Sequence, residues 1–245
     1  MDGEHLRAWA AAEHRAGRAG KSVARRLSAA RSFFRWLIRE GLARRNPAVG
    51  VRAPKSARKL PNVLDADEMG AFLALPEDAP LATRDRAMLE LFYSSALRLS
   101  ELCALAWDAL DLEQGLVRVT GKGGRTRVVP VGGPARAALA AWRAERPAEP
   151  GDPVFPGRDG GPISPRAVQS RLKRWAERQG VWKRMHPHLL RHSCARHVLE
   201  SSGNLRAVQE LLGHANITTT QVYTKLDFGH LSKVYDAAHP RARRK

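Results

Sequence analysis

The hydrophobic period changes once along this chain, and that change limits the folds it can adopt. Most apolar runs step by three and four residues, which is the spacing of an amphipathic helix. Between Leu116 and Val131, however, "LVRVT" and "RTRVVPV" alternate apolar and polar residues on either side of "GKGG". This alternation is typical of two strands joined by a hairpin turn. The sequence therefore predicts a mainly α fold with a small antiparallel β-sheet.

The helical runs fall into two groups, separated by a segment rich in proline and basic residues. In the first group, "KSVARRLSAARSFFRWLIREGL" carries one apolar stripe. The segment "PAVGVRAPKSARKLPNVL" then predicts a linker over residues 47–64, which leaves residues 1–46 and 65–245 as the two domains. Further helices are predicted over "DADEMGAFLAL", "LATRDRAMLELFYSSALRL", "SELCALAWDAL" with Ser100 as N-cap, "SPRAVQSRLKRWAERQG" with a Ser cap and Pro at its first position, "PHLLRHSCARHVLESSG" and "NLRAVQELLG", the last two closed by Gly203 and Gly213.

The charge of the chain is strongly positive and unevenly distributed. Lys and Arg number 42 against 24 Asp and Glu, a net charge of +18, and residues 1–60 hold 15 basic and 4 acidic side chains. This asymmetry favours a polyanionic partner such as nucleic acid, although an arginine-rich codon bias would also raise the total. Arg31, Arg35 and Arg39 step by four on one helix face, which is either a solvated basic face or a phosphate-contacting one. The candidate DNA contacts are Arg31, Arg35, Arg39, Lys55, Arg58 and Lys59.

Two further features concern the chain's environment. Cys103 and Cys194 do not have the spacing of metal ligands and lie in apolar helical runs, so we expect reduced thiols in the core. No apolar run approaches the length that spans a membrane, and no signal peptide precedes the first charges. We therefore expect a soluble, cytoplasmic protein that associates with the nucleoid.

Several basic positions each have two interpretations. Arg98 interrupts an apolar junction, where it needs a partner; Glu101 would satisfy it structurally, and an anionic ligand would satisfy it functionally. Lys122 lies between glycines in the hairpin turn and is either solvated or able to reach a ligand. His188 and Arg191 share one helix face, a pattern that by itself favours a surface pair.

Considered together, these side chains suit phosphoryl transfer without a metal. The sequence contains neither a carboxylate cluster for two metal ions nor a Walker-type phosphate loop. Two guanidinium groups can hold a phosphodiester and stabilise the charge of its transition state. Imidazoles can donate hydrogen bonds or move protons, a lysine can protonate a leaving oxygen, and the phenol of Tyr223 can attack phosphorus.

The motifs "LRLSEL", "GKGGRTRVVP", "HPHLLRHS" and "LLGHANITTTQVYT", in this order, resemble those of the tyrosine recombinase family. The resemblance covers essentially the whole chain and is strongest to the Xer subgroup, which resolves chromosome dimers. It implies a helical DNA-clamp domain, incomplete here, followed by a catalytic domain with a C-terminal interaction tail. It also implies a 3′-phosphotyrosyl intermediate, no cofactor, and a catalytic set of Arg98, Lys122, His188, Arg191, His214 and Tyr223.

The resemblance also implies the partners. These are a double-stranded DNA recombination site, a paralogous XerD-like recombinase in a heterotetramer, and a DNA translocase as regulator. Family members usually begin with four or more clamp helices, whereas only about 45 residues precede the linker here. Two alternatives therefore stay open: a DNA-binding fragment without full recombination activity, and a type IB topoisomerase-like enzyme that nicks and recloses one strand.

Overall fold

The computed structural model describes residues 2–55, 63–76, 78–79, 81–121, 123–213 and 237–240. Within these ranges the chain forms nine α-helices and one three-stranded sheet, so the predicted mainly α fold with a small antiparallel sheet is confirmed. The helices are α1 Gly3–Arg15, α2 Gly20–Arg39, α3 Ala66–Leu73, α4 Ala82–Ser94, α5 Leu99–Cys103, α6 Gly133–Glu145, α7 Pro165–Arg178, α8 Pro187–Ser202 and α9 Leu205–Leu212. The strands are β1 Leu110–Asp111, β2 Leu116–Thr120 and β3 Thr126–Pro130.

The sheet has the order β1-β2-β3, and both of its pairings are antiparallel. The predicted hairpin forms between β2 and β3, where Val117 pairs with Val129 and Val119 pairs with Arg127. Val117, Val119 and Val129 are buried, as the alternating pattern requires. The short strand β1 was not predicted, because two residues are too few to show a period of two.

The chain divides into two compact units, Met1–Pro61 and Asn62–Lys245. In the first unit, α1 and α2 bury a small core that includes Leu6, Val23 and Leu27. Ala48 and Val51 join this core, so the start of the predicted linker packs against the helices. The middle of that linker lies outside the described residues.

The second unit is built around α4, which packs against α6 and α8. Consecutive α4 residues Met88 and Leu89, and then Leu91 and Phe92, are fully buried, because α4 is covered on several sides. The end of α4 is attached to the sheet: the Ser95 hydroxyl donates to the Pro130 carbonyl at 2.7 Å. This attachment holds the α4–α5 turn beside β3.

Some helix boundaries agree with the sequence and others differ. Gly203 and Gly213 end α8 and α9 in the left-handed conformation, and Ser164 caps α7, as predicted. Ser100 is not the N-cap of α5, because the helix begins at Leu99 and the Glu101 carboxylate accepts a hydrogen bond from the Arg98 backbone N–H. Helices α1 and α6 were not predicted. Helix α1 has only two buried residues, and the buried stripe of α6 has helical spacing but is half alanine: Ala135, Ala138, Leu139 and Trp142.

The structure shows where the two cysteines lie and whether a described helix could span a membrane. Cys103 and Cys194 are free and buried, and burial raises the pKa of their thiols to about 11 and about 12. In the part of the chain that the structure describes, no helix is both long and apolar enough to cross a bilayer.

Candidate active site

The first part of the site is the turn between α4 and α5. Ala96 adopts a left-handed conformation (φ 46°) in this turn, and Arg98 follows at the start of α5. The Arg98 guanidinium donates to Glu101 Oε1 at 2.8 Å, while the Arg98 backbone N–H donates to Oε2 at 2.7 Å. Glu101 is therefore the structural partner that the sequence suggested for Arg98.

A second arginine, which sequence reasoning did not select, reaches the same carboxylate from β3. Arg127 donates to both oxygens of Glu101, at 2.6 and 2.9 Å. The sequence contained a signal for this residue, because strand alternation places Arg127 on the same face as the buried Val129. A charge on a face directed at the core needs a partner, and Glu101 supplies it.

Arg191 brings a third guanidinium from α8. It is buried, and it donates to the carbonyl oxygens of Ala96 and Leu212. Burial, together with the positive charges of Arg98 and Arg127, lowers the pKa of Arg191 to about 10. The interpretation of His188 and Arg191 as a surface pair is thus wrong for Arg191, whereas His188 is exposed.

The three guanidinium groups meet at the C-terminal end of α9. Arg98 donates to the carbonyls of Leu212 and Gly213 at 3.2 and 3.0 Å. Arg191 shares the Leu212 carbonyl, and Arg127 Nε lies 3.4 Å from the Leu211 carbonyl oxygen. The carbonyls at a helix C-terminus have no partners within the helix and carry partial negative charge, so they attract cations.

We call the four charged side chains at this place the arginine cluster: Arg98, Glu101, Arg127 and Arg191. Burial raises the pKa of the Glu101 carboxyl, but hydrogen bonds from Arg127 and Arg98 outweigh it and hold the pKa at about 2. Glu101 is therefore ionised at neutral pH. Three guanidinium groups and one carboxylate leave the cluster with an excess of positive charge, which suits an anion such as a phosphodiester.

Three of the predicted catalytic residues, Lys122, His214 and Tyr223, lie outside the described residues. The glycines that precede the first two in the sequence nevertheless contact the arginine cluster. A Cβ added at Gly121 would lie 3.3 Å from both Arg98 Nη1 and Glu101 Oε1. A Cβ added at Gly213 would lie 2.9 Å from Arg127 Cδ. The structure therefore brings together the backbone next to Lys122 and His214 with Arg98 and Arg191.

His188 lies in the first turn of α8, one turn before Arg191. The residue that caps this helix is His186, whose Nδ1 accepts a hydrogen bond from the Leu189 backbone N–H at 3.2 Å. Partial burial, followed by the charges of His188, Arg184 and His192, lowers the pKa of His186. The His186 and His188 rings lie 6.4 Å apart, centroid to centroid. Sequence reasoning assigned no role to His186.

The predicted DNA contacts fall into three groups. Arg35, Arg39 and Lys55 are exposed, as a phosphate contact requires. Arg31 is partly buried and donates to the carbonyls of Ala48 at 3.1 Å and Val51 at 2.6 Å, so the structure gives it a fold-stabilising contact in place of a free, solvent-facing charge. Arg58 and Lys59 lie outside the described residues.

Most of the predicted C-terminal interaction tail also lies outside the described residues. Of its described part, Ala238 and His239 are buried. The His239 ring packs 4.9 Å from the ring of Tyr93, which belongs to α4 of the same unit. This short segment therefore packs against its own catalytic unit.

Comparison with protein families gives two matches that together span most of the chain. Residues 62–230 match the model described as "Phage integrase family". Residues 1–41 match "Phage integrase, N-terminal SAM-like domain". Both units thus have a counterpart among the integrases.

Individual proteins give the same result. The chain is 64% identical over 245 residues to "Tyrosine recombinase XerC" of Xylella fastidiosa (strain M23), covering 100% of this chain and 83% of that relative. Among known structures, the integrase from mycobacterium phage Brujita is 26% identical, with a TM-score of 0.63 over 100% of this chain and 81% of that one. The XerH recombinase bound to its difH substrate, 22% identical with a TM-score of 0.74 over 95% of this chain and 71% of that one, shares the fold.

Proposed function

The chain belongs to the phage integrase family and is a tyrosine-type site-specific recombinase, and from that premise we propose that it cleaves and rejoins DNA through a 3′-phosphotyrosyl link at Tyr223. The observation that supports this mechanism best is the arginine cluster. Two guanidinium groups, from Arg98 and Arg191, converge beside the backbone that leads directly to Lys122 and His214.

In the proposed cleavage step, the scissile phosphate binds to Arg98 and Arg191. Their guanidinium groups stabilise the negative charge that builds up on the non-bridging oxygens in the transition state. The phenolic oxygen of Tyr223 attacks phosphorus, and its proton passes to the imidazole of His188, while His214 donates a hydrogen bond to the phosphate. The bond from phosphorus to the 5′ oxygen breaks, and Lys122 protonates that oxygen to give a free 5′-hydroxyl.

Strand exchange reverses this step on a second duplex. A 5′-hydroxyl attacks the phosphotyrosyl bond, the new phosphodiester forms, and the proton returns to the Tyr223 phenol. The number of phosphoester bonds is the same before and after, so the reaction needs no nucleotide cofactor as an energy source. We further propose that the substrate is a chromosomal recombination site and that a paralogous, XerD-like recombinase completes the tetramer. The biological outcome would then be the resolution of chromosome dimers.

The test starts with covalent capture. Fragmented, nicked genomic DNA from the source organism is incubated with the protein, denatured, and sequenced wherever DNA stays attached to protein. The wild-type chain should capture one short site, and Tyr223→Phe should capture none while retaining DNA binding. A covalent adduct of wild-type yield from Tyr223→Phe would show that Tyr223 is not the nucleophile.

Two copies of the captured site on one supercoiled plasmid distinguish the three functions. Recombinant circles, formed with or without the paralogous partner, are the expected product. Relaxation of supercoils without recombinants would indicate a topoisomerase-like enzyme. Binding without any adduct would indicate a DNA-binding fragment.

A further inference from the structure

We propose that Arg127 is a positioning residue of this active site, which neutralises Glu101 so that the Arg98 guanidinium stays available to the scissile phosphate. The proposal rests on the function proposed above, because it assigns the phosphate to Arg98 and Arg191. It concerns a residue of β3 that the expected catalytic set does not include.

The two arginines share the Glu101 carboxylate unequally. Arg127 takes both oxygens in a two-pronged contact, which is the strongest form of this interaction. The Arg98 side chain takes only Oε1, and its Nη2 is directed to the carbonyls of Leu212 and Gly213. Arg127 is therefore the main counter-ion of Glu101, and Arg98 has donors directed elsewhere.

The three side chains also differ in their exposure to solvent. The Arg127 side chain is 10% exposed, the Glu101 side chain 1% and the Arg98 side chain 36%. Separating an ion pair that is almost completely buried costs much free energy, because it leaves an unpaired charge in the interior. The pair of Arg127 and Glu101 thus forms the fixed base of the cluster, and Arg98 lies on its accessible side.

Removing the Arg127 charge would change the partner of Arg98. The Glu101 carboxylate would then have only Arg98 as counter-ion, and both Arg98 prongs would be drawn to it. The local charge on the phosphate-binding side would fall by one unit. Arg98 would keep its place in the folded protein, but its guanidinium would bind the Glu101 carboxylate instead of the phosphate.

A further contact connects Arg127 to the other half of the site. Its Nε lies 3.4 Å from the Leu211 carbonyl oxygen. Gly213 adopts φ +60°, and a Cβ there would meet Arg127 Cδ at 2.9 Å. The end of α9 therefore packs directly on the Arg127 side chain, just before His214 in the sequence.

The experiment measures single-turnover cleavage of a nicked DNA duplex carrying the captured site, together with the dissociation constant for the same duplex. Arg127→Gln should lower the cleavage rate by about 10²-fold, the effect of losing one preorganised transition-state contact, and should change the dissociation constant only a few-fold. The cleavage rate of Arg127→Lys should lie between those of the wild-type chain and Arg127→Gln, because lysine keeps the charge but loses the two-pronged contact.

The decisive variant carries Glu101→Gln in addition to Arg127→Gln. If Arg127 acts by neutralising Glu101, removing the carboxylate charge should restore at least about tenfold of the lost rate, a coupling that only interacting residues show. If Arg127 merely supports the fold, the second substitution should reduce the rate further. A double variant no faster than Arg127→Gln, or an Arg127→Gln variant of wild-type rate, would overturn the proposal.

Folding and function are controlled separately. Thermal unfolding of each variant shows whether the fold survives. If Arg127→Gln unfolds, the double variant with Glu101→Gln is compared directly with the wild-type chain, and its cleavage rate should lie within about tenfold of the wild-type rate; a larger loss would overturn the proposal. Wild-type protein that forms no covalent adduct would contradict the proposed function itself. Wild-type protein that forms the adduct, with no rate loss in the Arg127 variants, would contradict only the role of Arg127.

Discussion

At the residue scale, burial gives chemically identical side chains different roles. Arg191 is enclosed and bound to two backbone carbonyls, so its guanidinium orientation is fixed before any ligand arrives. Arg196, on the same helix, is exposed and forms a salt bridge with Glu200 at 2.6 Å. Preorganised donors contribute more to a transition state than flexible ones, because no reorganisation is needed when charge develops.

We therefore expect Arg98→Ala and Arg191→Ala to lower DNA cleavage by about 10²-fold or more. Arg191→Lys should recover little of this loss, because an ammonium group cannot donate in the fixed geometry of the guanidinium fork. Single-turnover cleavage measures the effect, with Arg196→Gln as a matched control that should behave like the wild-type chain. Full activity in Arg191→Lys would mean that charge alone is sufficient at this position.

At the element scale, buried polar residues connect helices that are distant in sequence. Asp85 on α4 is completely buried and accepts hydrogen bonds from Arg84, from Arg171 on α7, and from the indole N–H of Trp175 at 2.7 Å. This carboxylate joins α4 to α7 at the point where both helices are covered. Removing the charge of one partner in such a buried ion pair leaves the opposite charge without a counter-ion.

Asp85→Asn should accordingly lower the free energy of unfolding by about 3 kcal/mol or more. The control is Glu177→Gln on α7, the helix that Asp85 joins to α4; it removes an exposed pair in which Lys173 Nζ lies 3.5 Å from Glu177 Oε1. That change should cost less than about 1 kcal/mol, because exposed ion pairs contribute little. Urea unfolding of the two variants tests the difference, and equal losses would contradict a structural role for Asp85.

A second connection joins α4, α8 and the segment before α3 through a histidine. The Nε2 atom of His197 lies 3.0 Å from the Leu64 carbonyl oxygen, and its Nδ1 lies 2.8 Å from the Tyr93 hydroxyl. Since a carbonyl only accepts, Nε2 carries the proton and Nδ1 accepts from Tyr93. Burial lowers the pKa of His197, although the hydrogen bond to Leu64 acts in the opposite direction.

The lowered pKa means that the folded chain binds a proton at His197 less tightly than the unfolded chain. Its contribution to stability is therefore complete above the ordinary histidine pKa of 6.5 and is lost as the pH falls below that value. We expect the free energy of unfolding to decrease from pH 8 to pH 5, and to decrease less in His197→Gln. Parallel pH profiles for the two proteins would show that His197 titrates normally in the folded state.

At the scale of the whole molecule, charge is the property that governs DNA binding. The chain carries a net charge of +18, and its first 60 residues hold 15 basic and 4 acidic side chains. Such a distribution favours contacts with phosphates, which release counter-ions and make affinity fall steeply with salt. The exposed Arg35, Arg39 and Lys55 are the described residues that we expect to make such contacts in the first unit.

Lys55→Gln should reduce the slope of log affinity against log salt by about 0.9, the value for one lost phosphate contact. Arg31→Gln should leave that slope unchanged and should lower the stability of the first unit instead, because Arg31 binds the carbonyls of Ala48 and Val51. DNA titrations at several salt concentrations, with a urea unfolding curve for each variant, separate the two effects. A slope reduced equally by both substitutions would return Arg31 to the set of DNA contacts.

The sequence by itself determined the features that depend on near neighbours along the chain. The two-residue alternation predicted the hairpin, the apolar stripe predicted α2, and Gly203 and Gly213 predicted the ends of α8 and α9. Each of these signals is local, because helix and strand periods and helix caps involve residues only a few positions apart. The catalytic roles of Arg98 and Arg191 came instead from the resemblance to the recombinase motifs, and they stay a prediction.

Only the tertiary structure decided which groups meet across long stretches of chain. Arg98 reaches the Gly213 carbonyl across 115 positions, and Arg127 reaches Glu101 across 26. Arg31 was expected to face DNA, yet it holds carbonyls 17 and 20 positions away. The partner of a buried charge is whichever segment the packed core brings beside it, and no local period encodes that choice.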